Sequence, residues 1–376
     1  MSITDPNPPG TKIFSVHQRL ATSGARSAHV FRADDRLHLV VPQLAEDVPG
    51  RPADMQGGNA DVDALLYRWE EGRFAEHDRL PSPSAEDAVS FRSGGETYLA
   101  FANLRTGKGP YETDVDSLIY REEGGKWILD ETLPTFGAKQ WHHFSIGDRE
   151  FLALAQGLVI PGRTLPHRGH GRSVVFERVD GRWQEFQVLG GRMGYNWASF
   201  RVGGHDFLAY ADQVSPSVVY RWDGDSFVPY QTFGERFGRS FRHFSHNGEE
   251  WLAFACITGE STLHRWNGEL FEPHQSLGGP GGREFELFRH GDDLYLVRVC
   301  FVEGMPPTPK TDLMSQLYRW NNGKFEVLEE FPTYGGTDAS YFEAGGRSFL
   351  VVANSLTPDV RFRQDSIVYE LSLDNA

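Results

Sequence analysis

Apolar and polar residues alternate in short runs along this chain, and small turn residues separate the runs. The stretch Trp197-Ala198-Ser199-Phe200-Arg201-Val202 is followed by Gly203-Gly204 and then Phe207-Leu208-Ala209-Tyr210-Ala211. Next come Ser217-Val218-Val219-Tyr220-Arg221-Trp222, the pair Asp223-Gly224, and Phe227-Val228-Pro229-Tyr230-Gln231. A period of two predicts strands, and Gly-containing pairs between such runs predict hairpins. The group therefore reads as four antiparallel strands, A to D.

The group recurs. An aromatic opens strand D at Phe14, Phe74, Trp127, Trp183, Phe227, Phe271 and Phe325, and a phenylalanine follows 17 residues later, at Phe31, Phe91, Phe144, Phe200, Phe244, Phe288 and Phe342. A third anchor in strand C (Tyr67, Tyr120, Phe176, Tyr220, His264, Tyr318, Tyr369) precedes the next strand D aromatic by 7 residues wherever one follows. Length varies only between strands B and C. Units this small cannot bury both faces alone and must stack on their neighbours. The pattern predicts an all-β fold: one seven-bladed β-propeller of four-stranded antiparallel blades. The blades are expected near 26–80, 86–133, 139–189, 195–233, 239–277, 283–331 and 337–373. The chain starts on a strand D (13–20) and ends on a strand C, so the first strand is expected to complete the last blade and remove two open edges. Residues 1–12 are expected to be a flexible segment.

Composition narrows the function. A length of 376 residues would suggest two or three domains without the repeat. Aromatics at 13% and 41 glycines suit short strands and tight turns. The net charge of −15 argues against a nucleic-acid partner, which needs a basic surface. No run of 18 apolar residues is present, and the first ten residues lack the basic and apolar regions of a secretory signal. No membrane partner and a cytoplasmic location are the expectation. Cys256 and Cys300 occupy equivalent places in neighbouring blades, too far apart to bridge, and read as separate thiols.

The motif Ser-x-x-Tyr-Arg-Trp at Ser217–Trp222, the later Gln-x-Leu, and Gly137-Ala138-Lys139-Gln140-Trp141-His142-His143-Phe144 resemble the epilepsy-associated repeat, also called the EPTP repeat. The resemblance covers residues 13 to 373. It implies a seven-bladed propeller, a habit of binding partners, and a calcium ion in the central channel of some members.

Within such a fold the A–B and C–D turns share one face. The D–A links and the B–C connections share the other. The B–C loops, long in five consecutive blades and minimal in blades 4 and 5, suggest a bowl over the channel mouth. Strand A would line that mouth. Four residues before each Phe stand Ser27, Asp87, Gln140, Asn196, Ser240, Glu284 and Asp338, all polar, and two before it stand His29, His142, Arg242 and Glu286. This ring reads either as a ligand-binding surface or as channel groups holding ordered water. In an enzyme, His142, Arg242 and Glu286 would supply the acid–base chemistry. Glu284, Asp338 and Asp87 are the candidate calcium ligands. His167 and His170 in the blade 3 loop fall short of a zinc signature and read as a solvated loop. The serine three before the strand C anchor (Ser117, Ser173, Ser217, Ser261, Ser315, Ser366) reads as a structural hydroxyl. Two functions are carried forward. One is a binding propeller that takes a small molecule or a protein on its loop-rich face. The other is a stand-alone lyase, cyclase or isomerase with its pocket at the channel mouth.

Overall fold

The alternation does form strands, and the strands form seven sheets. The computed structural model of the chain describes residues 12–159 and 171–373. Each sheet has four antiparallel strands in the order A, B, C, D. Blade 4 consists of Gly194–Val202, His205–Asp212, Ser217–Trp222 and Phe227–Phe233. The others span 29–81, 85–136, 138–188, 238–276, 282–334 and 336–371. The A–B turns of blades 1 and 4 take positive φ at both central residues. Gly203 and Gly204 supply it at 58° and 83°, and Asp34 and Asp35 adopt it at 48° and 58°.

The outer strand of blade 7 is Phe14–Leu20, which pairs antiparallel with Ser366–Leu371, Phe14 opposite Leu371 and Leu20 opposite Ser366. The closing strand thus joins the two ends of the chain as its repeat phase requires. Residues 1–11 and the blade 3 loop histidines, His167 and His170, lie outside the described residues.

The core is seven interfaces rather than one centre. Each of seven apolar clusters straddles two neighbouring blades. Phe91 and Tyr98 of blade 2 meet Trp141, Leu152 and Trp183 of blade 3, for example, and Phe342 and Phe349 of blade 7 meet Leu39, Tyr67 and Phe74 of blade 1. Trp141 and Trp197, each 1% exposed, are part of this packing. An eighth cluster (Leu44, Leu104, Ile257, Phe301, Leu356 and Phe362 among its members) lies in the B–C loops and gives them a core of their own.

The six recurrent serines are structural. Ser117, Ser173, Ser217, Ser261, Ser315 and Ser366 each accept the backbone N–H that ends strand B of the same blade, at 2.9 to 3.4 Å. They also explain the glycine that opens the next strand A. A Cβ on Gly238 would lie 2.2 Å from the Ser217 hydroxyl, and one on Gly282 would lie 2.3 Å from that of Ser261. Cys256 and Cys300 are both free.

Candidate functional site: the loop-rich face

The innermost edge of each blade has no backbone partner, so its N–H groups need side-chain acceptors. The polar ring supplies them. Asp87 Oδ2 accepts from Trp141 N at 3.2 Å, Gln140 Oε1 from Trp197 N at 2.6 Å, and Asn196 Oδ1 from Phe241 N at 3.0 Å. Asp338 Oδ2 accepts from Ala28 N at 2.9 Å and from the Ser27 hydroxyl at 3.0 Å. Each acceptor thus latches the next blade, and the donor always stands three residues before that blade's Phe. Glu284 instead accepts from its neighbour Phe285 N at 3.0 Å, and Ser240 is fully buried.

A second belt runs two residues further along. His29 Nε2 accepts from Ser90 N at 3.0 Å, and His142 Nε2 accepts from Ser199 N at 2.9 Å. Each therefore carries its proton on Nδ1. Burial lowers the pKa of both imidazoles to about 4, with His143 and Arg242 adding to the effect at His142. Glu286 Oε1 accepts from Tyr341 N at 2.9 Å, and Arg242 donates to the Phe285 carbonyl from Nε at 3.0 Å and from Nη2 at 2.8 Å. Arg242 and Glu286 also pair, at 3.3 Å. So His142, Arg242 and Glu286 do come to one channel, but their reactive atoms are occupied by blade-to-blade bonds. A general base needs a lone pair within reach of substrate, and the Nε2 lone pair of His142 is taken.

The channel between these belts has a volume of about 340 Å³. Burial and the nearby Asp338 carboxylate push Asp87 up to about 8 and Glu284 up to about 7. Burial lifts Glu286 to about 6 against the pull of Arg242. Among the described residues no three His, Cys, Asp or Glu side chains gather closely enough to hold a metal ion. Asp87, Glu284 and Asp338 therefore do not by themselves make a calcium cage.

The larger cavity lies one residue outward, where the B–C loops and D–A links meet. It has a volume of about 960 Å³. Its walls are largely apolar and come from the loops and links of blades 1 to 6, including Leu44, Leu104, Met193, Phe237, Ile257 and Phe301. Its floor is the residue five before the Phe in blades 1 to 6. In blade order this position reads Arg26, Glu86, Lys139, Tyr195, Arg239, Arg283 and Thr337. Four of the seven are cations in a chain whose net charge is −15. The uniformly polar position stands next to it in every repeat, and the same alignment shifted by one shows the basic ring in the sequence.

The floor is rigidly held. Glu86 sits between Arg26 at 3.6 Å and Arg283 at 3.2 Å. Burial would raise the Glu86 pKa, but Arg26, Arg283 and Lys139 outweigh it and hold the carboxylate below its ordinary value. The Arg239 guanidinium lies 3.9 Å from the centre of the Tyr195 ring and also bonds the Gln213 side chain. Lys139 donates to the carbonyls of Gly137, at 3.2 Å, and Gly157. Arg105, from the blade 2 loop, stacks on Tyr111 at 3.8 Å and bonds the Gln56 and Gly57 carbonyls at 2.5 and 2.6 Å. Burial lowers Lys139 to about 8 and Arg26 to about 10, the mutual repulsion of the cations contributing to both.

The EPTP domain model matches residues 183–223 and 324–372. Those two stretches of the propeller carry the EPTP repeat. The two matched stretches run from strand D of one blade through strand C of the next, the same phase in which the chain begins and ends. A human protein, the thrombospondin-type laminin G domain and EAR repeat-containing protein, is 28% identical over 146 residues, covering 38% of this chain and 20% of that protein. Its mouse counterpart is 30% identical over the same shares. The match thus spans about one fifth of the length of these relatives. The solved structure of Saccharomyces cerevisiae Sqt1 superposes on this propeller with a TM-score of 0.54 at 11% identity, covering 95% of this chain and 98% of that one, which shows a shared fold.

Proposed function

We propose that this propeller binds a small molecule in the bowl on its loop-rich face. The observation that carries the reading is the cavity of about 960 Å³ above the channel. Its size and its mostly apolar walls with a few fixed polar groups are those of a ligand site, where a flat rim would suit a protein surface. Loops from separate blades converge on it over a rigid ring, which is the usual placement of a binding site on such a scaffold. Binding is favoured over turnover because the groups best suited to acid–base work, His142 and Glu286, are taken up by bonds between blades, and Lys139 in the bowl is itself bonded to the Gly137 and Gly157 carbonyls.

The test is to fill the bowl. Ile257 is buried in its wall, and Ile257→Trp would occupy the space without touching either belt. A library of small molecules would be screened by ligand-observed NMR against the wild type and this variant. Compounds that bind the wild type are expected to lose their signal with Ile257→Trp. Hits that persist on the filled variant would place the binding surface elsewhere.

A further inference from the structure

We infer that the bowl is built for an amphiphilic organic anion, with a carboxylate or phosphate head on the cationic floor and an apolar body against the walls. The inference deepens the reading just given and rests on it. Its basis is uncompensated buried charge. Arg26, Arg105, Lys139 and Arg239 are each 9% exposed or less, yet Glu86 is the one buried carboxylate lining the bowl, the other, Glu303, being exposed. Cations taken out of water are costly unless paired, and a stable fold keeps such a cluster where a counter-charge completes it.

Hydrogen bonding points the same way. The buried Nε atoms of Arg105 and Arg239 have no hydrogen-bond partner, and that of Arg26 has only Glu86 Oε1 at 3.6 Å, so the guanidinium charges are poorly compensated within the protein. Their guanidinium groups are nonetheless fixed, Arg239 by Tyr195, Arg105 by Tyr111, and Arg26 over the Phe301 ring at 5.3 Å. An oxyanion offers several lone pairs to guanidinium groups that line the bowl, and charge-assisted bonds of this kind are the stronger ones. Preorganised donors lose little entropy when the anion arrives.

The remaining volume fixes the rest of the ligand. A bare phosphate or carboxylate would fill a small part of about 960 Å³. Leu44, Leu104, Phe237, Ile257, Phe301 and Val302 then face space that only an apolar body would fill well. The charge is local, since the molecule as a whole carries −15 and repels anions at a distance. That argues against a polyanion, which would meet the acidic exterior, and for one compact head.

The experiment is isothermal titration of the full chain with decanoate, octyl phosphate, decanol and inorganic phosphate. Decanoate, octyl phosphate or both are expected to bind at least about tenfold more tightly than decanol and than inorganic phosphate, and the tighter of the two names the head group. Arg239→Gln and, independently, Arg105→Gln are expected to weaken the amphiphilic anions about tenfold and to leave decanol unchanged. Decanol binding as well as decanoate, or undiminished anion affinity in both arginine variants, overturns the inference. So does failure of both amphiphilic anions to bind at about 1 mM. Loss of every ligand on Ile257→Trp alone, with the arginine variants unaffected, would leave the bowl standing and remove the anion from it. Unchanged binding on Ile257→Trp would remove the bowl itself.

Discussion

Gln18 clamps Phe74 across the seam of the ring: its Nε2 donates to the Phe74 carbonyl at 2.7 Å and its Oε1 accepts the Phe74 N–H at 2.9 Å. Gln187 and Phe227, Gln231 and Phe271, and Gln275 and Phe325 repeat the clamp between other blades. Glu329 holds the N–H of Ile13 at 2.7 Å in the corresponding place. The head of the chain is thus bonded to blades on both sides, as an internal strand D would be. Gln18→Ala leaves one N–H and one C=O of Phe74 without their partner, and should cost about 1–3 kcal/mol. Chemical denaturation would read it as a lower midpoint with an unchanged slope. Deleting residues 1–20 strips the outer edge of Ser366–Leu371 of its partner and should abolish cooperative unfolding.

The inner belt makes a second prediction. Asn196 and Gln140 latch the next blade with amides, whereas Asp87 does the same work with a carboxyl. The folded-state pKa of Asp87 is about 8, raised from an ordinary 3.8. A raised pKa means that the folded state holds a proton the unfolded state has released, so this contribution to stability is full at low pH and is lost as pH rises through about 8. Asp87→Asn keeps the acceptor and removes the titration. Its melting temperature should exceed that of the wild type at pH 8 by several degrees and differ little at pH 4.

His142 gives the opposite slope. Its folded-state pKa of about 4 lies below the ordinary 6.5, so the stability it lends is full above pH 6.5 and drains away as pH falls through about 4. His142→Gln can still accept the Ser199 N–H. Thermal melts of the two proteins should converge near neutrality, and the wild type should fall behind as the pH drops from 6.5 towards 4. A constant difference across that window would mean that the imidazole is not held neutral.

Lys139 makes anion affinity pH-dependent. Glu86, Asp212, Arg239 and Arg283 surround it electrostatically, Tyr195 lies beside it, and burial brings its pKa to about 8. The ammonium is present below that pH and lost above it, so decanoate affinity should fall about fivefold between pH 7 and 9. Lys139→Arg should flatten the profile. A wild-type profile already flat over that range would take Lys139 out of the site.

Most of the architecture could be read because it follows from local chemistry repeated seven times. The Gly203-Gly204 and Asp34-Asp35 turns, the Ser217 hydroxyl and the strand D start at Phe14 each depend on neighbours at fixed spacing. The site was harder to read. Polarity at Gln140 and Asn196 looks the same in sequence whether the side chain meets a ligand or the next blade's N–H, and the structure gives it to the N–H. His29 and His142 are ambiguous in the same way. The bowl depends on where the B–C loops fold back over the channel. Repeat spacing carries no information about that path, so the partnership of Arg105 with Tyr111, or of Arg239 with Tyr195, becomes visible only in three dimensions.

The central claim is a division of labour: the polar belts hold the ring together and the cationic bowl binds. Measuring melting temperature and decanoate affinity together for Asn196→Ala and Arg239→Gln tests it most directly. Asn196→Ala should melt several degrees lower and bind decanoate as the wild type does. Arg239→Gln should melt at or above the wild-type temperature, since it removes a buried cation that pairs with a ring and an amide but with no carboxylate among the described residues, and should bind about tenfold more weakly. The reverse pattern, with Asn196→Ala stable but unable to bind and Arg239→Gln unstable but binding normally, would contradict the account.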